Sequence, residues 1–192
     1  MSAGVFLALA LLVYIAGQLP GEQDLYQAIV DRASPGIVAV FQWVNQLGNK
    51  WVLAPAALVL LLVLRPAHRR WWLWISVLVG APVLEDLVKP VVGRLRPEGG
   101  SLGFPSGHVT AAAAFFFLAA YLGGKAATNR PMRIGLWLAA AVLVGLVGLA
   151  RIVLRAHWPG DAVGGAALGL ACVALAAWWH ERHAYPVSTQ QE

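Results

Sequence analysis

Polar positions along this chain fall in short groups between long apolar runs, and the length of each run decides what it forms. A helix crosses the hydrocarbon core of a bilayer with roughly 20 largely apolar residues, about 17 at the least. Segments 3–19, 107–124, 134–150 and 162–179 carry no charge and reach that length. Each predicts a membrane-crossing helix. Two further runs, 51–64 and 71–84, are shorter. They are also read as spans, because Lys50, Arg65 and Arg70 can extend toward the headgroups and Trp51, Trp71, Trp72 and Trp74 suit the membrane boundary.

The pattern therefore predicts an all-α, polytopic membrane helix bundle with six transmembrane helices. Segment 22–49, between the first two spans, is mixed in character. In it Ser34 followed by Pro35 reads as a helix cap with proline in the first turn. Short helices lying along the interface fit such a stretch. The first run lacks the basic flank and the small-residue cleavage site of a secretory signal, so it is expected to be an uncleaved helix. Neither a repeat nor a linker divides the chain, and residues 1–192 are expected to form a single membrane-embedded domain.

Composition agrees. Hydrophobic residues make up 59% and charged residues 12% of the chain, with a mean hydropathy of +0.68. Those proportions exclude an ordinary soluble domain. The single cysteine, Cys172, lies in an apolar run and offers neither a disulfide framework nor a metal site. A net charge of +5 would suit nucleic acid, but the basic residues are dispersed between apolar segments. Membrane lipid, anionic lipid in particular, is the expected partner, and nucleic acid is not.

Charge also orients the bundle. With the N-terminus inside, the inner face holds Arg65, Arg69, Arg70, Lys125, Arg130, Arg133 and Arg182. The outer face holds Arg32, Lys50, Lys89, Arg94, Arg96, Arg151 and Arg155, an equal number. Once Lys89, Arg96 and Arg151 are set aside for the chemistry below, the inner face carries the excess expected of a positive-inside protein.

Three polar stretches, 89–97, 104–108 and 151–161, fall on that outer face. Ionisable groups at a membrane boundary are costly unless paired or used. Pro105-Ser106-Gly107-His108 opens the fourth span, where free backbone amides can meet an anion. Ser106 adds a hydroxyl, Gly107 admits close approach, and His108 can carry a proton to a leaving oxygen. An ordinary helix cap beside an interfacial histidine accounts for that tetrapeptide equally well. Lys89 and Arg96, taken singly, read as boundary charges. Together they supply the point charge and planar fork that a phosphoryl group requires. Arg151 precedes His157 by six residues, and Asp161 follows His157 by four, one helical turn. Asp161 could bond one imidazole nitrogen and leave the other free to attack phosphorus. A capped boundary histidine is the plainer reading of the pair alone.

Lys89 with Arg96-Pro97, then Pro105-Ser106-Gly107-His108, then Arg151 with His157 and Asp161, resembles the three-part signature of type 2 phosphatidic acid phosphatases. The resemblance covers residues 89–161 with order and spacing intact. It implies that Lys89, Arg96, Ser106, Gly107 and Arg151 cradle the phosphate, that His157 attacks it, and that Asp161 orients His157. His108 would protonate the leaving group and then activate water. The family usually carries serine just before the third-motif arginine, whereas this chain has Ala150. Glu85 and Asp86, one turn before Lys89, read as supporting groups, and Arg94 and Arg155 as charges that face anionic headgroups or recognise a second phosphate.

The expected activity is hydrolysis of a phosphate or diphosphate lipid through a phosphohistidine intermediate, at the outer face of a bacterial inner membrane. The substrate would be a lipid of the undecaprenyl diphosphate, phosphatidylglycerol phosphate, phosphatidic acid or lipid A phosphate class. Neither a cofactor nor a metal is expected, since the cations already neutralise the phosphate. A relative acting on soluble phosphate esters and a vanadium-dependent haloperoxidase share the resemblance, and the apolar runs argue against the haloperoxidase. A non-catalytic protein that binds or moves lipids on the same fold is the alternative from another class. Retention of His108, His157 and Asp161 argues against it.

Overall fold

The computed structural model describes residues 1–64 and 71–184. Helices α1 (Ser2–Ala16), α2 (Glu22–Val30) and α3 (Pro35–Asn45) are followed by a 3-10 turn (Gln46–Gly48). Helices α4 (Lys50–Val63), α5 (Trp71–Val92), α6 (Gly107–Ala126), α7 (Arg130–Val153) and α8 (Pro159–Ala184) complete the order. Local chemistry marks several starts. The Ser34 hydroxyl accepts from Ile37 N at 3.4 Å with Pro35 behind it, as expected. The Asn49 and Asn129 side chains cap α4 and α7 by accepting from Trp51 N at 3.0 Å and Met132 N at 2.9 Å.

Helix α6 is the centre of the bundle and packs against α4, α5, α7 and α8. Its Val109, Ala112, Ala113, Ala114 and Leu118 are fully buried. Lipid tails are as apolar as leucine, so helices in a bilayer associate by close packing, which small residues permit. Gly165 and Gly169 of α8 supply it: a Cβ on either would come within 2.6 Å of an α6 carbonyl, that of Ser106 or Thr110. The outer surface is strongly apolar, with Leu7, Leu11, Ile15, Leu58, Leu62, Leu138 and Val142 all exposed. Patches of that kind on a helical bundle match a lipid surround.

Three helices, α6, α7 and α8, are long and apolar enough to cross a membrane, or four if α3 with its 3-10 turn and α4, bent by 48°, form one broken span. Six spans were expected, with the runs at 51–64 and 71–84 short among them, and length and composition do not reach that count. Helix α1 ends at Ala16 because Gly17, at φ 70°, leaves the helical region, so it has 15 residues rather than a full span. Helix α4 has 14, and α5 has 22 but ends in the charged turns of Glu85, Asp86 and Lys89. The basic connection expected at 65–70 lies outside the described residues.

Trp74 departs from its expected boundary position. It is fully buried, with its ring 5.7 Å from Tyr121 and 5.2 Å from His180. Trp51, Trp71, Trp72, Trp178 and Trp179 are exposed, as a boundary position requires.

Candidate active site

The polar stretches meet at one end of the bundle, where α5 and α7 finish and α6 and α8 begin. Helix α5 stops at Val92 because Gly93 adopts φ 68°, and its N–H closes the last turn on Lys89 O at 2.9 Å. The chain then folds back on itself. Arg96 N donates to Ser101 O at 3.1 Å and Gly103 N to Arg94 O at 2.7 Å, with Gly99 and Gly100 both at φ 77° in the bend. This return brings Ser106 to the head of α6 beside the end of α5. Ser106 N donates to the Asp161 backbone carbonyl at 3.0 Å, which joins the starts of α6 and α8.

Lys89, Arg96, Gly107, His108 and His157 line a cavity of about 430 Å³. Its other walls include Glu85 and the bend between the 3-10 turn and α4, contributed by Gly48, Asn49, Lys50 and Trp51. That bend fits tightly. A Cβ on Gly48 would lie 2.8 Å from the His108 carbonyl oxygen and from Val147 Cγ1.

Ser106 and Asp161 have no exposed surface, and Arg151 is 9% exposed. Arg151 Nη1 donates to Asn45 Oδ1 at 2.9 Å, tying α7 to α3. Its Nε and the Ser106 hydroxyl are buried without a hydrogen-bond partner among the described residues. Lys89 forms an ion pair with Glu85 and stands 3.8 Å from Asp86 Oδ1, as the helical spacing led us to expect. Arg96 Nε donates to Leu102 O at 3.3 Å.

His157 lies in the turn between α7 and α8 and is 1% exposed. Its Nδ1 is 3.3 Å from Asp161 Oδ2, which also accepts from Trp158 N at 3.0 Å. Burial pushes the His157 pKa below its ordinary value; Asp161 opposes that shift and the nearby Arg151 and Arg96 charges reinforce it. The favoured form is thus a neutral imidazole. With its proton on Nδ1 toward Asp161, Nε2 is left with its lone pair.

Arg94 corrects an expectation. It does not face the headgroups but is 7% exposed inside the protein. Its Nη1 donates to Asp161 Oδ1 at 3.0 Å and to Glu22 Oε1 at 3.3 Å, its Nη2 pairs with Glu22 Oε2, and its guanidinium lies over the Trp158 ring at 5.5 Å. Glu22, 4% exposed on α2, accepts from Gly160 N at 2.6 Å and Leu19 N at 3.1 Å as well. Sequence reasoning missed Glu22 and Asn45 altogether. Glu22 is 138 positions from Gly160 and Asn45 is 106 from Arg151, so no local spacing could have joined them. Arg155 is exposed, as expected of a charge facing outward.

The PAP2 superfamily pattern matches residues 98–185. Over 155 residues the chain is 33% identical to a decaprenylphosphoryl-5-phosphoribose phosphatase of Mycobacterium tuberculosis (strain H37Rv), covering 74% of this chain and 78% of that protein. It is 26% identical over 177 residues to phosphatidylglycerophosphatase B of Bacillus subtilis (strain 168), covering 86% of each. Among solved structures, its fold matches a transmembrane PAP2 type phosphatidylglycerolphosphate phosphatase from Bacillus subtilis with a TM-score of 0.79 at 24% identity, over 99% of this chain and 98% of that one. Aquifex aeolicus LpxE matches with a TM-score of 0.63 at 21% identity, over 81% of this chain and 94% of that one.

Proposed function

Because this chain belongs to the PAP2 superfamily of membrane phosphatases, we propose that it removes a terminal phosphate from a membrane lipid through a phosphohistidine on His157. The observation that carries this reading is the buried His157–Asp161 pair in the wall of a cavity also lined by Lys89, Arg96 and His108. His157 Nε2 attacks phosphorus as the bond to the lipid oxygen breaks, and that oxygen takes a proton from His108. His108, now neutral, accepts a proton from water as the water attacks the phosphohistidine. Inorganic phosphate leaves and His157 is regenerated. Lys89, Arg96, Arg151, the Ser106 hydroxyl and the Gly107 amide hold the equatorial oxygens, where transition-state charge spreads. The reaction is proposed to be metal-independent, because those cations supply the neutralisation that a metal would otherwise give.

The substrate class follows the membrane setting and the relatives. One relative is named for a polyprenyl phosphosugar and the other for a glycerophospholipid phosphate. A lipid-linked monophosphate or diphosphate of either kind, undecaprenyl diphosphate included, fits a cationic cavity at the end of an apolar bundle. We read α1, α4, α5, α6, α7 and α8 as crossing the membrane. The short α1 and α4 reach only about 22 Å, and their exposed apolar side chains lie among lipid. The N-terminus is inside and the cavity opens at the outer face of a bacterial inner membrane, a reading supported by the inner-face excess that remains once Lys89, Arg96 and Arg151 are set aside.

Phosphate release from a panel of these lipids by detergent-purified protein in excess chelator tests the reading. Release by wild type that disappears in His157→Ala is expected. Folded wild type inactive on every lipid would favour the non-catalytic lipid-handling alternative. Activity restored only by Mg²⁺ would overturn metal independence alone.

A further inference from the structure

Asp161 does not orient His157 unaided. Its Oδ2 faces His157 Nδ1 at 3.3 Å, but its Oδ1 is held by Arg94 Nη1 at 3.0 Å, and Arg94 is itself gripped by both carboxylate oxygens of Glu22. Glu22 Oε1 also accepts from Gly160 N, the amide of the residue before Asp161. One glutamate thus fixes both the guanidinium that holds the Asp161 side chain and the peptide that carries it. All three charged groups are nearly inaccessible: the side chains of Glu22, Arg94 and Asp161 are 3%, 4% and 0% exposed. The fit leaves no slack, since a Cβ on Gly160 would meet Glu22 Oε1 at 2.7 Å and Leu19 Cδ1 at 2.8 Å.

We propose that Glu22 and Arg94 are positioning residues: Glu22, on the short helix α2, sets Arg94, and Arg94 turns Asp161 so that His157 keeps its proton on Nδ1 and presents Nε2 to the cavity. A guanidinium is needed because one planar fork must serve two carboxylates at once, which a lysine ammonium cannot do in the same geometry. The role assigned to α2 is new: it forms an outer layer of the histidine's support as well as covering the interface. The kinetic arm of the test rests on the phosphatase reading, and the spectroscopic arm does not.

The variants are Arg94→Lys, Glu22→Gln and the two combined, in full-length protein in detergent. Ring ¹⁵N resonances of labelled histidine report the tautomer, with the His157 signals identified by their loss in His157→Asn. Wild-type His157 is expected as a single Nδ1–H tautomer. Arg94→Lys should introduce the second tautomer and lower kcat about 10- to 100-fold, with KM changed by less than about threefold. Glu22→Gln should shift both readouts in the same direction by less, and the double variant should be no worse than Arg94→Lys, because both act along one path. Glu22→Gln preserves size and one acceptor, and decides the matter should Arg94→Lys fail to fold. A lower melting temperature with wild-type tautomer and wild-type kcat would reduce the cluster to a staple between α2 and α8, and overturn the proposal. Tautomer shifts in the variants, with a wild type that releases no phosphate, would leave the positioning role standing and remove the phosphatase reading instead.

Discussion

His157 and His108 are assigned opposite dealings with a proton, and that difference can be read out separately. His157 must be unprotonated to attack, and burial, helped by Arg151 and Arg96, moves its pKa down. For a histidine whose folded pKa is depressed, the neutral form persists to lower pH. The acid limb of kcat/KM, corrected for the substrate's own ionisation, should therefore lie below about pH 6.5, the ordinary histidine value. A limb at or above that value would contradict the assignment. His108 is needed first as acid and then as base. With 4-nitrophenyl phosphate, whose leaving group departs without a proton, His108→Ala should still phosphorylate His157 but release it slowly. Steady-state turnover should fall by about 10² to 10⁴, with phosphoenzyme trapped near one per site in a rapid quench. Absence of trapped phosphoenzyme would remove His108 from the water-activating role. The residues named for this chemistry were legible because three short motifs keep their members within a few positions of one another. Glu22 and Arg94 were not, because a buried ion cluster leaves no periodic trace and its members come from α2, the turn after α5, and α8.

At the scale of elements, helix identity was readable from apolar runs, whereas helix length was not. Residues 17–19 carry no charge and were counted in the first run, yet Gly17 takes positive φ and α1 ends three residues before Leu19. Apolarity alone cannot register such a stop. The mixed segment 22–49 was expected to lie along the interface, but its two helices and the following bend also reach the site, through Glu22, Asn45, Gly48 and Asn49. Contact between α6 and α8 depends on glycines whose role became visible only in three dimensions. A Cβ on Gly165 would sit 2.6 Å from Ser106 O and 3.2 Å from Thr110 N, inside the turn that carries Ser106. Gly165→Ala should therefore destabilise the protein by about 1–3 kcal/mol and lower activity by displacing the head of α6. Gly135→Ala, on the exposed face of α7 with nothing within 4 Å, should be neutral or stabilising by up to about 1 kcal/mol. Thermal midpoints in one detergent compare the two, and a Gly165→Ala variant as stable as Gly135→Ala would mean that helix propensity rather than close packing governs both sites.

For the molecule as a whole, the site gathers at one end of the bundle and a second group of basic residues lies at the other. Lys89, Arg96, His108, Arg151 and His157 gather where α5 and α7 end and α6 and α8 begin, while Lys125, Arg130, Arg133 and Arg182 lie around the other ends of those helices. At that far end Lys125 donates to Glu181 at 2.8 Å, between two half-exposed side chains, a contact of little energetic weight. The charges there matter for orientation instead, because basic residues flanking short connections are retained on the cytoplasmic side. The site end also carries cations, but Lys89 is paired with Glu85, and Arg94 with Glu22 and Asp161. With the cations of the site set aside, the orientation proposed above rests on the basic residues at the far end. Two exposed positions report on it, Glu98 in the turn of the site and Thr128 between α6 and α7. With Cys172 replaced by alanine, Glu98→Cys in intact cells with a permeabilised outer envelope should react with a membrane-impermeant maleimide. Thr128→Cys should react only after the inner membrane is opened. The reverse pattern would turn the cavity to the cytoplasm and confine its substrates to lipids displayed on the inner leaflet, leaving the histidine chemistry intact but excluding carrier lipids released on the outer one.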